Sequence, residues 1–175
     1  MAFPRKALAC LLMPALIALG AAGPSYGQTP LTDGTTVIGS YGDWSVQCDG
    51  APESEAPRCA LTQSVVATDR DNVGVIVIIL WNTDRSAFFM RVVGPLGVLL
   101  EEGLEVTVDG EHLADAAFVR CVQEGCVAEI DLEQEALTAL IGGTSLAVSV
   151  SIIDGERISL PMSLRGFGKG LSALP

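Results

Sequence analysis

The sequence predicts an all-β domain, an antiparallel β-sandwich of about nine or ten strands with one short helix. Most segments beyond residue 40 are short and alternate apolar with polar residues, a pattern typical of strands with one buried face. Two-residue hairpin signals occur at Asp109-Gly110 and Asp154-Gly155. Only residues 132–141 have a convincing helical pattern, and the arrangement as a whole favours two packed antiparallel sheets.

The first 27 residues are a predicted export signal. Arg5 and Lys6 form a basic start, and residues 7–22 form an apolar stretch of suitable length. Small residues at positions −3 and −1 favour cleavage before Gln28. A transmembrane anchor is the alternative, but the apolar stretch contains proline and glycine and is shorter than the roughly 20 residues that a span needs. We expect a periplasmic or secreted protein with no transmembrane segment in the mature chain.

Cleavage leaves 148 residues, which we divide into a flexible arm, residues 28–40, and a single β-sandwich domain, residues 41–175. Loss of Arg5 and Lys6 changes the net charge from −11 to about −13. An acidic surface of this kind repels phosphate backbones and anionic lipid heads. Nucleic acid is therefore not expected as a partner, whereas a protein partner is compatible with this charge.

Four cysteines follow the signal, and an even number in an exported chain predicts two disulfides. Of the three possible pairings we favour Cys48–Cys59 and Cys121–Cys126, because each pair brackets a turn-like segment. The chain-entropy model gives about 2.8 kcal/mol for the first loop and about 2.2 kcal/mol for the second. A zinc site is the alternative. The second spacing permits it, but the separation of Cys48 from Cys59 is too long.

The first half of the domain is predicted to contain four strands. Residues 44–48 alternate apolar and polar, and a surface loop, residues 49–58, connects them to a β-branched segment at residues 60–68. Residues 73–81 are the most apolar run of the mature chain. Their length and β-branching predict a central strand that is buried on both faces. Residues 87–93 return as the next strand.

Residues 91–104 are predicted to turn a corner that carries the chain across the core. Two apolar runs flank the break Gly94-Pro95-Leu96-Gly97. Proline has no backbone donor and glycine can adopt positive φ, so the chain should bend here while it remains buried. The next strand alternates from Leu104 to the Asp109-Gly110 turn.

The C-terminal part is predicted to contain a short hairpin, the helix and two final strands. The hairpin joins residues 118–121 to residues 126–130, Asp131 caps the helix, and Gly142-Gly143 ends it. Pro161 cannot donate a ladder hydrogen bond, so the last strand is expected at a sheet edge. Three apolar residues should anchor the glycine-containing tail: Phe167, Leu171 and Leu174.

The sequence provides no recognisable catalytic set. His112 is the only histidine, and we interpret it as a solvated loop residue. There is no Gly-x-Ser-x-Gly motif, and the two disulfides leave no thiol. The turn at residues 69–72 carries carboxylates that could contact calcium, but the spaced loop of ligands is missing. The adjacent Glu101 and Glu102 would point to opposite faces of a strand. We predict no catalytic residue, no cofactor and no metal ligand.

Five short motifs follow one another along the mature chain. They are Tyr41-Gly42-Asp43-Trp44 followed by Cys48; Cys59-Ala60-Leu61-Thr62-Gln63; Arg91-Val92 followed by Pro95-Leu96-Gly97-Val98; Phe118-Val119-Arg120-Cys121 with Gly125-Cys126; and Leu164-x-Gly166-Phe167. In order and spacing, over about residues 41–174, they resemble the invasion-associated locus B family of exported bacterial proteins. The tail departs from the family pattern, because Gly168 and Gly170 stand where alanine is common.

The resemblance implies an all-β exported domain in the periplasm or at the cell surface, and it also supports the local disulfide pairing. The family supplies no agreed catalytic or ligand set. We therefore expect a non-catalytic, disulfide-stabilised envelope protein that interacts with a protein in the envelope or on a host surface. The family name suggests a link to host-cell invasion. The alternative function is a periplasmic carrier that holds a small apolar ligand between the sheets.

Overall fold

The computed structural model describes residues 35–49, 57–70, 73–152 and 155–175. Within these ranges eleven strands form two antiparallel sheets with two short helices, which confirms the predicted all-β sandwich. In chain order the strands are β1 (Thr35–Tyr41), β2 (Trp44–Asp49), β3 (Arg58–Val66), β4 (Gly74–Trp81), β5 (Phe88–Gly94), β6 (Leu104–Val108), β7 (Glu111–Ala116), β8 (Phe118–Val122), β9 (Gly125–Leu132), β10 (Ser145–Ser151) and β11 (Arg157–Ser163). The helices are α1 (Gln134–Gly142) and α2 (Phe167–Ser172).

The two sheets differ in size. The larger sheet has the order β1-β2-β3-β4-β5-β9-β8, and the smaller sheet has the order β11-β10-β6-β7. They pack with β11 against β3 and β7 against β9, so β1 and β2 extend beyond the smaller sheet. Helix α2 packs against β1 and β2 and covers this extension.

The core lies between the sheets and is built by period-two alternation in both. On β4, Val75, Val77 and Ile79 are at most 1% exposed, and on β10 Leu146 and Val148 are fully buried. Full burial of such a side chain contributes roughly 1.5–3 kcal/mol. A one-residue slip would turn all of these side chains outward, so the same alternation fixes the strand register.

The predicted corner is confirmed. After β5 the chain leaves the larger sheet, and β6 begins in the smaller one. Gly97 adopts a φ of 81°, and Val98 then forms an antiparallel bridge with Ile152 beside β10. Gly94 is buried at the end of β5 without positive φ, so the second glycine of the break makes the turn.

The hairpin and edge predictions also agree with the structure. Asp109 and Gly110 both have positive φ, 51° and 88°, as a type I′ turn between β6 and β7 requires. The Asp109 carboxylate accepts hydrogen bonds from the hydroxyl and backbone N–H of Thr144, which lower its pKa. Strand β11, which contains Pro161, lies at the edge of the smaller sheet. Asp154, in the second hairpin signal, falls outside the described residues.

One strand is present that the sequence pattern does not predict. The sequence assigns residues 35–40 to a flexible arm, but they form most of β1 and pair with β2. Strand β1 lies at a sheet edge and exposes most of its side chains, so it lacks the alternation that marks a half-buried strand. The rest of the expected arm, residues 28–34, and the export signal lie outside the described residues.

The helix prediction needs two corrections. Helix α1 begins at Gln134, later than predicted, because Asp131 and Leu132 continue β9 and pair with β5. Its N-cap is Glu133 and makes no side-chain capping hydrogen bond, so the expected Asp131 cap is wrong.

The C-terminal tail forms a second short helix, α2. Its predicted anchors are confirmed, because Phe167, Leu171 and Leu174 are all buried.

The structure forms both disulfides in the local pairing, Cys48–Cys59 and Cys121–Cys126. In each case the two cysteines are direct cross-strand partners, one pair joining β2 to β3 and the other joining β8 to β9. Neither pair of sulfurs is therefore available to a zinc ion. The first disulfide lies on the buried face of its strands, and both of its cysteines are less than 10% exposed.

Two distant glycines meet in a contact that we call the Gly42–Gly166 junction, formed by residues 41–44 and 164–167. Gly42 has φ 61° and Gly166 has φ 92°, and a β-carbon built on either would overlap the backbone of the other segment. The Asp43 N–H donates to the Arg165 carbonyl over 3.0 Å, and the Trp44 indole donates to the Ser163 carbonyl over 2.9 Å. The Trp44 ring also packs edge-on against Phe167, with centroids 5.1 Å apart.

Alanine at Gly166 should destabilise the domain, because its β-carbon would overlap the Tyr41 carbonyl at a positive-φ position. We expect a loss of at least about 2 kcal/mol in the free energy of unfolding, measured by urea denaturation. Gly142→Ala is the matched control, since open space surrounds Gly142 at the end of α1 and alanine favours a helix. Equal stability of Gly166→Ala and the wild type would contradict the role of the junction.

The junction also makes acid stability depend on Asp43. Hydrogen bonds from the Arg165 side chain, and then from Ser163, lower the pKa of Asp43 from 3.8 to about 2. Because the folded-state pKa is the lower one, ionised Asp43 stabilises the fold above about pH 4, and this contribution is lost as the pH falls towards 2. The free energy of unfolding should therefore fall more steeply between pH 4 and 2 for the wild type than for Asp43→Asn. Parallel curves would contradict this assignment.

Candidate functional site

The sequence candidates for catalysis do not converge in the part of the chain that the structure describes. Asp69 and Arg70 lie in the turn after β3, where Arg70 donates to both carboxylate oxygens of Glu156. Asp71 and Asn72, which complete the considered calcium turn, fall outside the described residues. Glu101 and Glu102 lie in an exposed turn before β6.

His112 belongs to a charged cluster that the sequence does not reveal. On a regular strand His112 and Asp115 would point to opposite faces, but a bulge in β7 turns them to the same side, where the imidazole Nε2 lies 3.1 Å from the carboxylate. Glu105 completes a set whose ligand atoms lie within 4.8 Å of one another. The group is largely exposed, and Arg157 already neutralises Glu105. The arrangement is that of a surface ion-pair network.

A cavity of about 370 Å³ opens at one edge of the sandwich, between the end of β3 and β11. Val65 and Ala67 contribute apolar surface from one sheet, and Leu160 contributes from the other. The Arg70–Glu156 ion pair joins the two rims of this opening. This cavity is the place in the described structure where a small ligand could lie between the sheets.

The outward face of the larger sheet carries an apolar surface that we call the outer strip. It consists of five half-buried side chains on β4 and β5: Ile76, Ile78, Leu80, Phe89 and Val93. The smaller sheet packs on the opposite face, and no described helix or strand lies over the strip. The prediction that residues 73–81 are buried on both faces is therefore wrong for this face in the described part of the chain, where Ile76, Ile78 and Leu80 are only partly buried.

The register of β4 and β5 places the side chains of the outer strip next to one another. Ile76 is the cross-strand partner of Val93, and Leu80 is the partner of Phe89. Between these pairs Ile78 lies opposite Arg91, whose guanidinium is 5.5 Å from the centre of the Phe89 ring. Neighbouring side chains on one face of a sheet interact directly, so the strip behaves as one surface.

The borders of the outer strip are largely polar. On the β2–β3 side the outward residues include Ser45, Gln47, Thr62 and Ser64, and the ion pair between Asp49 and Arg58 lies at the end of these strands. On the β9 side they are Glu129 and Asp131, and Glu129 pairs with Arg91 over 2.7 Å. At one end the strip runs into a groove of about 840 Å³ whose wall includes Trp81 and Arg85. Arg85 has φ 59° and donates to the backbone oxygen of Pro175, which fixes this wall.

The outer strip has the composition of a protein-binding surface. Aromatic residues and arginine are enriched at the centres of interfaces, where other charged residues are depleted. Exposed apolar surface with a polar border is typical of docking sites. In this part of the chain the arrangement suits burial against another protein better than acid–base or nucleophilic chemistry. The fold and this face together define the class: a disulfide-bonded all-β sandwich with an apolar sheet face over which no described helix or strand lies.

The chain belongs to the invasion associated locus B (IalB) family, whose family model matches residues 44–175. The resemblance found in the motifs is thereby confirmed. Two similar curated proteins are the invasion protein B homologues of Brucella abortus strain 2308 and of Brucella abortus biovar 1 strain 9-941. Each is 24% identical over 141 residues, which is 80% of this chain and 80% of the relative.

The fold is similar to the crystal structure of invasion associated protein B from Bartonella henselae. The two structures superpose with a TM-score of 0.66 at 24% sequence identity, over 78% of this chain and 94% of the other. This similarity supports the sandwich architecture. Among the described residues no helix has both the length and the apolar character that a membrane span requires.

Proposed function

We propose that the protein is a non-catalytic, disulfide-stabilised interaction protein of the cell envelope that docks a protein partner on the outer strip. After signal cleavage it acts in the periplasm or outside the cell. The names of its relatives refer to invasion, and by this likeness we propose that the partner lies in the envelope or on a host surface.

The observation that carries the proposal is the mismatch between the sequence of β4 and its surroundings. Eight residues read Gly-Val-Ile-Val-Ile-Ile-Leu-Trp, a composition typical of strands covered on both faces. The inner face is fully covered, whereas Ile76, Ile78 and Leu80 on the outer face are only partly buried. Contacts with neighbouring strands stabilise these side chains in part, and a docked partner would bury the rest of their apolar surface.

Export and the disulfides support an envelope location. Disulfides persist in oxidising compartments such as the periplasm, and both pairs are present here. The acidic charge adds solubility to a domain that presents an apolar face. The predicted export signal, the two disulfides and the acidic surface are each consistent with a docking protein that acts in the envelope.

The edge cavity supports a second candidate, the carrier of a small apolar ligand. Its walls at Val65, Ala67 and Leu160 provide apolar contact, and the Arg70–Glu156 pair covers the opening. A thermal-shift screen of fatty acids and apolar cofactors tests this function, with Val65→Asp, at a partly buried wall residue, as the variant that should abolish any shift. Unchanged melting temperatures throughout would exclude it.

Crosslinking in intact cells tests the docking function. A photo-reactive residue at Ser64, on the border of the outer strip, should yield one discrete crosslinked species, and Ile78→Lys should abolish it because a buried ammonium beside Arg91 has no partner and opposes docking. Ala147→Lys, which places the same side chain on the outward face of the smaller sheet, is the matched control and should leave the species intact. Recovery of the uncrosslinked chain alone would contradict the proposal.

A further inference from the structure

We propose that the Cys121–Cys126 disulfide is a site of thiol–disulfide exchange, at which an exported dithiol opens this bond while Cys48–Cys59 stays closed. The site lies on the β8–β9 hairpin and does not involve the outer strip. Three features of the hairpin support it: the exposure of Cys121, the surface beside this residue, and the contacts that hold the hairpin without the bond.

The two disulfides differ in their accessibility to a thiol. Cys48 and Cys59 are 6% and 8% exposed, and they lie on β2 and β3, which each have a neighbouring strand on both sides. Cys121 is exposed on β8, the last strand of the larger sheet, whereas its partner Cys126 is only 2% exposed. A thiolate must reach one sulfur of the bond that it attacks. In the folded chain that sulfur belongs to Cys121.

An exposed cation lies beside the accessible cysteine. Arg120 precedes Cys121 on β8 and makes no ion pair with any described residue. The chain as a whole has a net charge of −11, so most of its surface repels an anion. The reactive form of a thiol is the thiolate, and a neighbouring cation stabilises it. Arg58, the cation beside Cys59, is instead paired with Asp49.

The strand around Cys121 also offers contacts to a protein that carries the dithiol. Val119 and Val122 are 57% and 42% exposed. Strand β8 pairs with β9 on one side, and no described strand pairs with its other edge. An edge strand presents unpaired backbone groups to a second chain. A protein dithiol therefore finds apolar contact and backbone hydrogen-bonding groups next to the bond that it attacks.

The exchange consists of two displacements. One thiolate of the dithiol forms a bond to the Cys121 sulfur, the Cys121–Cys126 bond breaks, and the Cys126 sulfur leaves as a thiolate that takes up a proton. The second thiolate of the dithiol then attacks the first sulfur of the dithiol and displaces Cys121, which also takes up a proton. The dithiol is oxidised to a disulfide, and the cystine is reduced to two thiols.

The contacts of the hairpin keep it folded after this reaction. Strand β9 pairs with β5 along its whole length from Cys126 to Leu132, and Phe118 at the start of β8 packs against the core. The register of β8 and β9 leaves the two thiols directly opposite each other. Exchange in the reverse direction, with a disulfide on the partner, can therefore close the bond again.

Mass mapping of the native chain tests the site. The purified, disulfide-intact mature chain is treated with dithiothreitol, a small dithiol, and the thiols that appear are alkylated at successive times. Cys121 and Cys126 should be alkylated at least about tenfold faster than Cys48 and Cys59, because the buried bond is reached only when the fold around it opens. Equal rates, or earlier opening of Cys48–Cys59, would overturn the proposal. The difference should disappear in guanidinium chloride, and its persistence there would also overturn the proposal, because the fold would not be its cause.

Two variants identify the sulfur that is attacked. Cys126→Ala leaves Cys121 as a thiol, and Cys121→Ala leaves Cys126 as a thiol. With oxidised glutathione, the first variant should form a mixed disulfide at least about tenfold faster than the second. Circular dichroism confirms that both variants are folded. Equal rates in the two folded variants would contradict attack at Cys121.

The charge beside the bond has a matched control. Arg120→Gln should slow the reduction of Cys121–Cys126 by dithiothreitol about two- to fivefold, the range expected for one exposed charge. Lys169→Gln removes another exposed cation, on α2 at the opposite edge of the larger sheet, and should leave the rate unchanged. Equal rates in the two variants would contradict the contribution of Arg120 to the site.

Discussion

The fold depends on the Gly42–Gly166 junction, because it holds the first hairpin of the larger sheet to the end of the last strand of the smaller one. Two backbones approach so closely that neither position accepts a β-carbon, and both need positive φ. The ion pair between Asp43 and Arg165 and the Trp44–Phe167 contact then fix the two segments from opposite sides. The junction also places α2 where it covers β1 and β2.

The junction also explains two of the motifs that place the chain in its family. Tyr41-Gly42-Asp43-Trp44 and Leu164-x-Gly166-Phe167 are distant in sequence but form one structural unit. Gly42 and Gly166 permit the close approach of the two backbones. Asp43 pairs with Arg165, and Trp44 packs against Phe167 in the core. These motifs therefore serve folding. The proposed binding surface is formed by other residues, the outward side chains of β4 and β5, which contribute little to the core of the domain.

The sequence predicts those features that depend on local pattern or chain geometry. Alternation identified the buried strands, Asp109-Gly110 identified its hairpin, and Pro161 identified an edge strand. It did not predict β1, because an exposed edge strand needs no apolar period. The tail helix α2 is short and rich in glycine, and its packing against β1, β2 and α1 stabilises it. The cluster around His112 depends on a bulge, which the sequence does not mark.

The candidate site was anticipated only in part, and for a physical reason. Residues 73–81 are apolar on both faces of the strand, but a sequence cannot indicate whether the outward face is covered by the same chain or by another protein.

Surface labelling with a carbene reagent decides directly whether the outward face is covered. If a protein covers the outer strip, Ile76, Ile78 and Leu80 should be labelled in dilute purified protein and protected in the cell envelope, while Ala147 is labelled equally in both. Equal labelling of the outer strip in both settings would contradict the account.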